Sequence, residues 1–259
     1  MSYFDAIVLG LVQGVTEFLP VSSSGHLVMA QAFLGVPSPG VFLEVSLHVA
    51  TLLSVMVVYR AKLIELVRGM LRRDPDALRY VGLLILATLP VVVIGLFSRN
   101  QIEAAFDTPY ITGFMLLVTG FILWSTGFGD RERPHDRPTR LHAVAMGISQ
   151  CLALLPGISR SGTTIAAGLW TGLRGERAAE FSFLMSLPAI GGAAVLQATE
   201  LGGDMVVDGQ LAVGFLVALL SGVAAIKSLV WLVRRQGFHK FAWYVWAVGL
   251  FFLAYLYFG

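Results

Sequence analysis

With 259 residues, 56% of them apolar and only 13% charged, and a mean hydropathy of +0.77, the chain has too little polar surface to coat a water-soluble globule. A bilayer is the solvent such a composition fits. A formal charge of +2, with no basic patch interleaved with aromatics, argues against nucleic acid as a partner, and the single cysteine, Cys151, excludes an internal disulfide and any cysteine-cluster metal site, which leaves it as a small buried thiol.

The first segment, residues 3–36, has no basic leader and no small-residue cleavage site ahead of its polar turn, so it belongs to the mature fold. It is a pair of apolar stretches of about 15 residues each, short for a crossing, broken by Pro, Gly and Ser. Apolar runs of spanning length follow at 41–59, 79–97 and 110–128, then, after a second broken pair at 141–173, at 178–200, 210–233 and 241–258. Basic residues gather at 60–73, 129–140 (Arg131 and Arg133 among them), 174–177 and 234–240, which the positive-inside rule places in the cytoplasm. The connections at 98–109 and 201–209 then fall on the other side. With six spans this is self-consistent only if both broken pairs enter and leave on one face, as re-entrant helical hairpins, and backbone of that kind survives at membrane depth only where protein or a wet cavity surrounds it.

The two hairpins are related. A gap-free shift of 137 positions aligns Ala6 with Ala143, Gly10 with Gly147, Gln13 with Gln150, Ser22 with Ser159, Ser24 with Ser161 and Gly25 with Gly162, and a shift of 136 pairs Glu44 and Ser46 with Glu180 and Ser182. Three spans lie between the copies, so they enter from opposite faces. The expected fold is an all-α polytopic membrane protein with an inverted-topology repeat, residues 3–128 and 141–259, as one integral domain whose hairpins meet near the pseudo-two-fold axis.

The chemistry-bearing residues sit at the two breaks. In the first, Gln13 and Glu17 are one helical turn apart on one face, Pro20 ends the helix, and Ser22, Ser23, Ser24 and His26 open the next. The second reads Pro156-Gly-Ile-Ser159-Arg160-Ser161-Gly-Thr-Thr164, a fixed cation among hydroxyls at a helix start, where free N–H groups and the dipole favour an anion. Ionisable groups at membrane depth are functional candidates by default, which singles out Glu17, His26 and Arg160. Arginine suits phosphate through its two parallel donors, and Glu17 beside Gln13 offers the oxygen ligands that Mg²⁺ or Ca²⁺ takes. The plainer readings are an interhelical Glu17–Arg160 ion pair, serines that only cap or pack, and a satisfied buried His26. His48, His135, His142 and His239 read as isolated or as loop residues, Glu44 and Glu180 as helix-starting or packing residues, and glycines 10, 14, 147, 191 and 192 as points of close helix approach.

Together, Gln13-xxx-Glu17, Pro20-Val-Ser-Ser-Ser-Gly-His26 and Pro156-Gly-Ile-Ser-Arg-Ser-Gly-Thr-Thr164 resemble the undecaprenyl-diphosphate phosphatase family, also called the bacitracin-resistance protein family, over essentially the whole chain. The resemblance implies hydrolysis of undecaprenyl diphosphate to the monophosphate, which recycles the carrier lipid of cell-wall synthesis, with a divalent metal and a place in the bacterial cytoplasmic membrane. It further implies that Glu17 and Gln13 serve metal and diphosphate, that Ser23 is a candidate nucleophile with His26 its partner or itself the nucleophile, and that Ser159, Arg160 and Thr164, with Ser22 and Ser161 beside them, hold the substrate. Gln13 stands where some members have Glu, one charged ligand fewer. On the same grounds the pocket opens outward. The competing classes are a carrier or flippase of a lipid phosphate, which would release no phosphate, and an ion channel, which would conduct without lipid. Metal identity, the nucleophile, prenyl chain length and oligomeric state, a homodimer included, stay open.

Overall fold

A computed structural model of the chain describes residues 1–35, 40–128, 135–200 and 208–258. Arg131, Arg133 and the connection 201–207 lie outside them, as does the side chain of Glu44. Among the described residues the chain is helical, and its one extended pairing is an isolated bridge between His135 and Leu173.

The first hairpin is α1 (Tyr3–Phe18) and α2 (Ser23–Leu34). Ser2 and Asp5 cap α1 reciprocally, the Ser2 hydroxyl accepting from the Asp5 N–H at 3.1 Å and the Asp5 carboxylate from the Ser2 N–H at 2.7 Å. Pro20 then drives Leu19 into extended backbone (ψ 147°) and the helix stops. After α3 (Gly40–Val58) the chain bends by 75° at Tyr59 into α4 (Arg60–Leu71), which carries Arg60, Lys62 and Arg68. The long α5 (Pro75–Phe97) is capped by Asp74 with Pro75 in its first turn. The short α6 (Arg99–Phe106) meets α7 (Pro109–Ser125) at 96°.

The second hairpin is α8 (Arg140–Leu152) and α9 (Arg160–Trp170), followed by α10 (Gly175–Glu200), α11 (Gly209–Arg234), a short 3-10 turn at Phe238–Lys240 and α12 (Phe241–Phe258). Its break holds Gly157 at φ 93°, with a Cβ there blocked by the Thr112 carbonyl, so only glycine fits. Among the described residues four helices are long and apolar enough to cross a membrane, and up to six spans result if each bent pair counts as one. Many large apolar side chains point outward, Phe97 at 85% exposure and Leu71 at 81%, although Phe18, Phe181 and Phe183 are buried, while Gln13, Thr51, Ser54, Thr119, Thr164, Ser182 and Ser186 are buried too. That inversion of the soluble pattern is what a hydrocarbon solvent selects.

Packing partners repeat along with the sequence. α1 lies along α11 as α8 lies along α5, and α3 packs on α11 as α10 packs on α5; α7 with α12, and α3 with α10, join equivalent elements of the two halves. The repeated glycines make this possible. A Cβ on Gly10 would run into the Gly214 carbonyl, one on Gly14 into Ser221 and Ala218, and one on Gly147 into the Ala87 carbonyl, the close backbone approach on which membrane helices rely when burial of apolar surface cannot drive their association. Gly191 and Gly192 correct the sequence expectation: the nearest atom to a Cβ at 191 is 3.8 Å away and at 192 none comes within 4 Å.

Candidate active site

The two breaks meet, and they meet on Glu17. Gln13, one turn earlier on α1, donates from Nε2 to Glu17 Oε2 at 3.0 Å. The Pro20 turn folds Ser23, the first residue of α2, back over the end of α1, where its hydroxyl donates to the same oxygen at 2.7 Å. From the other hairpin Arg160, the first residue of α9, donates from Nη2 to Oε1 at 2.9 Å. His48 on α3 brings Nε2 to 3.8 Å from Oε2. The Glu17 side chain is 6% exposed and that of Arg160 13%, whereas the His48 side chain, at 36%, forms the open rim. A carboxylate buried this far costs several kcal/mol of lost hydration, and only such a set of donors offsets it.

The other hydroxyls tie the breaks together. Ser159 Oγ accepts from the Gly162 N–H at 3.1 Å as the cap of α9 and lies 3.2 Å from Ser161 Oγ, which donates to the Leu19 carbonyl of the first break at 3.1 Å. Ser22 Oγ and Ser24 Oγ repeat that 3.2 Å pairing in the first hairpin. Thr164 Oγ1 donates to the Arg160 carbonyl at 2.7 Å and shares a 2.6 Å bond with Ser182 Oγ. Thr119 on α7 holds the second break from outside, its hydroxyl donating to the Gly157 carbonyl at 2.9 Å and accepting from the Ser159 N–H at 3.1 Å. In this structure Ser22, Ser159, Ser161 and Thr164 therefore spend their hydroxyls on the scaffold.

The expected Ser23–His26 partnership is not formed. Ser22 adopts φ 69° and ψ 101°, a left-handed geometry costing a serine on the order of 1–3 kcal/mol, and its carbonyl meets His26 Nδ1 at 2.8 Å. The ring's Nε2 lies 2.9 Å from the Tyr244 hydroxyl, with the two rings stacked at 5.7 Å. Both imidazole nitrogens are thus engaged, and Glu17 is the group in position to take the Ser23 proton. Sequence reasoning missed His48, Thr119, Ser182 and Tyr244. Only His48 carried a signal, an ionisable ring inside a spanning run, and it was read as isolated because its partner is 31 positions away. Glu180 keeps its packing role, pairing with Arg177 at 3.2 Å and accepting from the Tyr80 hydroxyl at 3.3 Å beside a polar cavity of about 570 Å³.

Two atoms at the junction are buried without a protein partner, Gln13 Oε1 and Arg160 Nη1. The first is an oxygen acceptor next to a carboxylate, the second a cationic donor. An oxygen-seeking divalent ion fits that donor set, though not in an all-protein cage: no group of three His, Cys, Asp or Glu able to hold a metal occurs among the described residues, so ligand oxygens would complete the shell, as is usual for Mg²⁺. Against the first break lies an apolar cleft of about 390 Å³ between Leu19, Val21, Phe241 and Tyr244, with Lys240 at its rim.

The family model described as bacitracin resistance protein BacA matches residues 6–251. The undecaprenyl-diphosphatase of Methanobrevibacter smithii is 42% identical to this chain, covering 96% of each protein. That of Alkaliphilus metalliredigens is also 42% identical, over 96% of this chain and 97% of its own, and that of Cereibacter sphaeroides is 40% identical, over 94% and 93%.

Proposed function

The chain belongs to the bacitracin resistance protein BacA family, and we infer from that membership that it is a multi-pass membrane enzyme hydrolysing undecaprenyl diphosphate to undecaprenyl phosphate and inorganic phosphate. We place it in the bacterial cytoplasmic membrane, where recycling of the carrier lipid gives bacitracin resistance, and we read residues 3–128 and 141–259 as inverted copies, supported by their mirrored packing. One observation carries the chemistry: a single buried carboxylate joins a serine hydroxyl on one hairpin to a guanidinium on the other.

In this reading Arg160 receives the terminal phosphate. Its Nη1 is free of protein partners, and as the headgroup draws the guanidinium towards itself Glu17 is left able to accept a proton. Ser23 Oγ attacks the terminal phosphorus, its proton passing to Glu17 Oε2, while the bond from phosphorus to the bridging oxygen breaks. The proton on Glu17 goes to the departing monophosphate. Water, deprotonated in turn by Glu17, opens the phosphoserine, releases inorganic phosphate and restores the Ser23 hydroxyl. Most of the barrier is lowered by charge aimed at the phosphoryl oxygens, as phosphoryl transfer requires.

Gln13 and Glu17 would hold a divalent ion, Mg²⁺ or Ca²⁺, through Gln13 Oε1 and a carboxylate oxygen. When bound, it withdraws negative charge from the diphosphate and eases departure of the monophosphate. The tail explains the site's depth, since each CH₂ drawn out of hydrocarbon costs about 0.8 kcal/mol and only the headgroup can leave the lipid cheaply.

The test is phosphate release from a polyprenyl diphosphate by the purified full chain, with and without chelator and with Glu17→Gln as control. Release that needs Glu17 supports the reading. No release with any divalent ion, while the lipid still binds, would identify a carrier instead.

A further inference from the structure

Among the described residues, four buried side-chain polar atoms lack a hydrogen-bond partner in the protein, and all belong to the two hairpins: Gln13 Oε1, Arg160 Nη1, and both Nε2 and Oε1 of Gln150. The mechanism above uses the first two. Gln150 is 2% exposed, in the last turn of α8, and its whole amide is unpaired. A primary amide in a protein interior is costly to leave so.

The repeat tells where it points. The shift of 137 positions that maps Gly10 onto Gly147 also maps Gln13 onto Gln150, Glu17 onto Leu154 and Ser23 onto Arg160. Gly147 meets the Ala87 carbonyl on α5 as Gly10 meets that of Gly214 on α11, so α8 and α1 are seated alike and their residues three positions on leave the helix in the same sense. Gln13 leaves towards the Glu17 junction. The same correspondence puts Gln150 in the place that Gln13 holds in the first hairpin, on a helix that packs against α9, whose first residue is Arg160. Leucine in place of the matching carboxylate leaves the amide no acceptor in the chain.

Resting on the phosphatase reading, we propose that Gln150 binds the diphosphate headgroup, its Nε2 donating to an oxygen of the phosphate that Arg160 does not grip. Arg160 holds the terminal phosphate, and Gln150 adds a donor to the lipid-borne one. A diphosphate is thus held at two points and inorganic phosphate at one.

Gln150→Met keeps the volume and removes the polar group. In the purified full chain it raises KM for a polyprenyl diphosphate, and Ki for inorganic pyrophosphate, by about ten-fold. It leaves kcat and Ki for inorganic phosphate near wild type, and thermal stability without substrate equal to wild type or higher, because an unpaired amide has gone. Unchanged KM and pyrophosphate Ki overturn the proposal and leave the amide to water alone. So does a rise shared by inorganic phosphate together with lost stability, which marks a packing role. Wild-type protein that releases no phosphate sinks the enzymatic reading itself; active wild type with an indifferent Gln150→Met sinks only this assignment.

Discussion

Glu17 Oε1 and Arg160 Nη2 stand 2.9 Å apart although 143 positions separate them in the chain. The contact joins the end of α1 to the start of α9, and it makes each charge the other's principal compensation in a dry interior. Removing one partner leaves the other buried and unpaired.

Arg160→Ala should therefore cost stability as well as activity. About 3–5 kcal/mol of destabilisation is expected from the stranded carboxylate, read as a lower midpoint of thermal or denaturant unfolding in detergent. Glu17→Gln keeps the size and can still accept from Arg160, so it should unfold closer to wild type while phosphate release falls by about 10²–10⁴-fold. Arg160→Ala with a wild-type midpoint would show the pair to be energetically slack.

Ser23 is expected to carry the phosphoryl group in passing. Acid quenching during turnover of a substrate labelled in its terminal phosphate should trap label on wild-type protein and none on Ser23→Ala. An unlabelled wild type with full activity would make water the nucleophile, leaving Ser23 as a positioning donor to Glu17.

His48 borders Glu17 Oε2 at 3.8 Å from the exposed rim, where it can steady the carboxylate. His48→Ala should lower kcat by about ten-fold, the size of one weakened charge-assisted contact, with stability close to wild type. No change in kcat would remove it from the site.

Helix seating gives a prediction away from the chemistry. Gly147→Val pushes a branched side chain into the Ala87 backbone and should destabilise by about 1–3 kcal/mol, whereas Gly192→Ala meets nothing within 4 Å and should unfold like wild type. Equal effects of the two substitutions would contradict the packing of α8 on α5.

Tyr244→Phe removes the hydroxyl 2.9 Å from His26 Nε2 and should cost about 1 kcal/mol. The Ser23–Glu17 hydrogen bond needs neither ring, so the trapped phosphoserine should survive. Loss of the intermediate in this variant would return His26 to the role of base.

Much of this was readable from local pattern. Gln13 and Glu17 had to share a helix face, Pro20 had to end that helix, and the recurrence of Gln, Ser and Gly at one interval marked a second hairpin. Charge at 160 among hydroxyls stood out as an ionisable group in an apolar segment. The Ser23–His26 pairing failed because helical spacing says which side chains share a face but not how the preceding turn is wound: Ser22 in left-handed backbone bonds His26 through its carbonyl, and Tyr244 from α12 claims the other nitrogen. Gly191 and Gly192 looked like Gly10 and Gly147, yet no backbone comes within 4 Å of a Cβ at either. Whether a glycine is a contact depends on a partner that composition does not name.

The amino-acid sequence by itself determined the solvent, the broken helices, the repeat and the residue types at each break, because hydropathy, proline and periodicity act over a few neighbouring positions. Only the tertiary structure decided that one carboxylate would serve Gln13, Ser23, Arg160 and His48 together, that Ser159, Ser161 and Thr164 would fasten the breaks, and that Gln150 would be buried with its amide unmatched. Those outcomes depend on how α1 seats on α11 and α8 on α5, and seating is settled by contacts between residues as distant in the chain as Gly147 and Ala87 or Gly10 and Gly214.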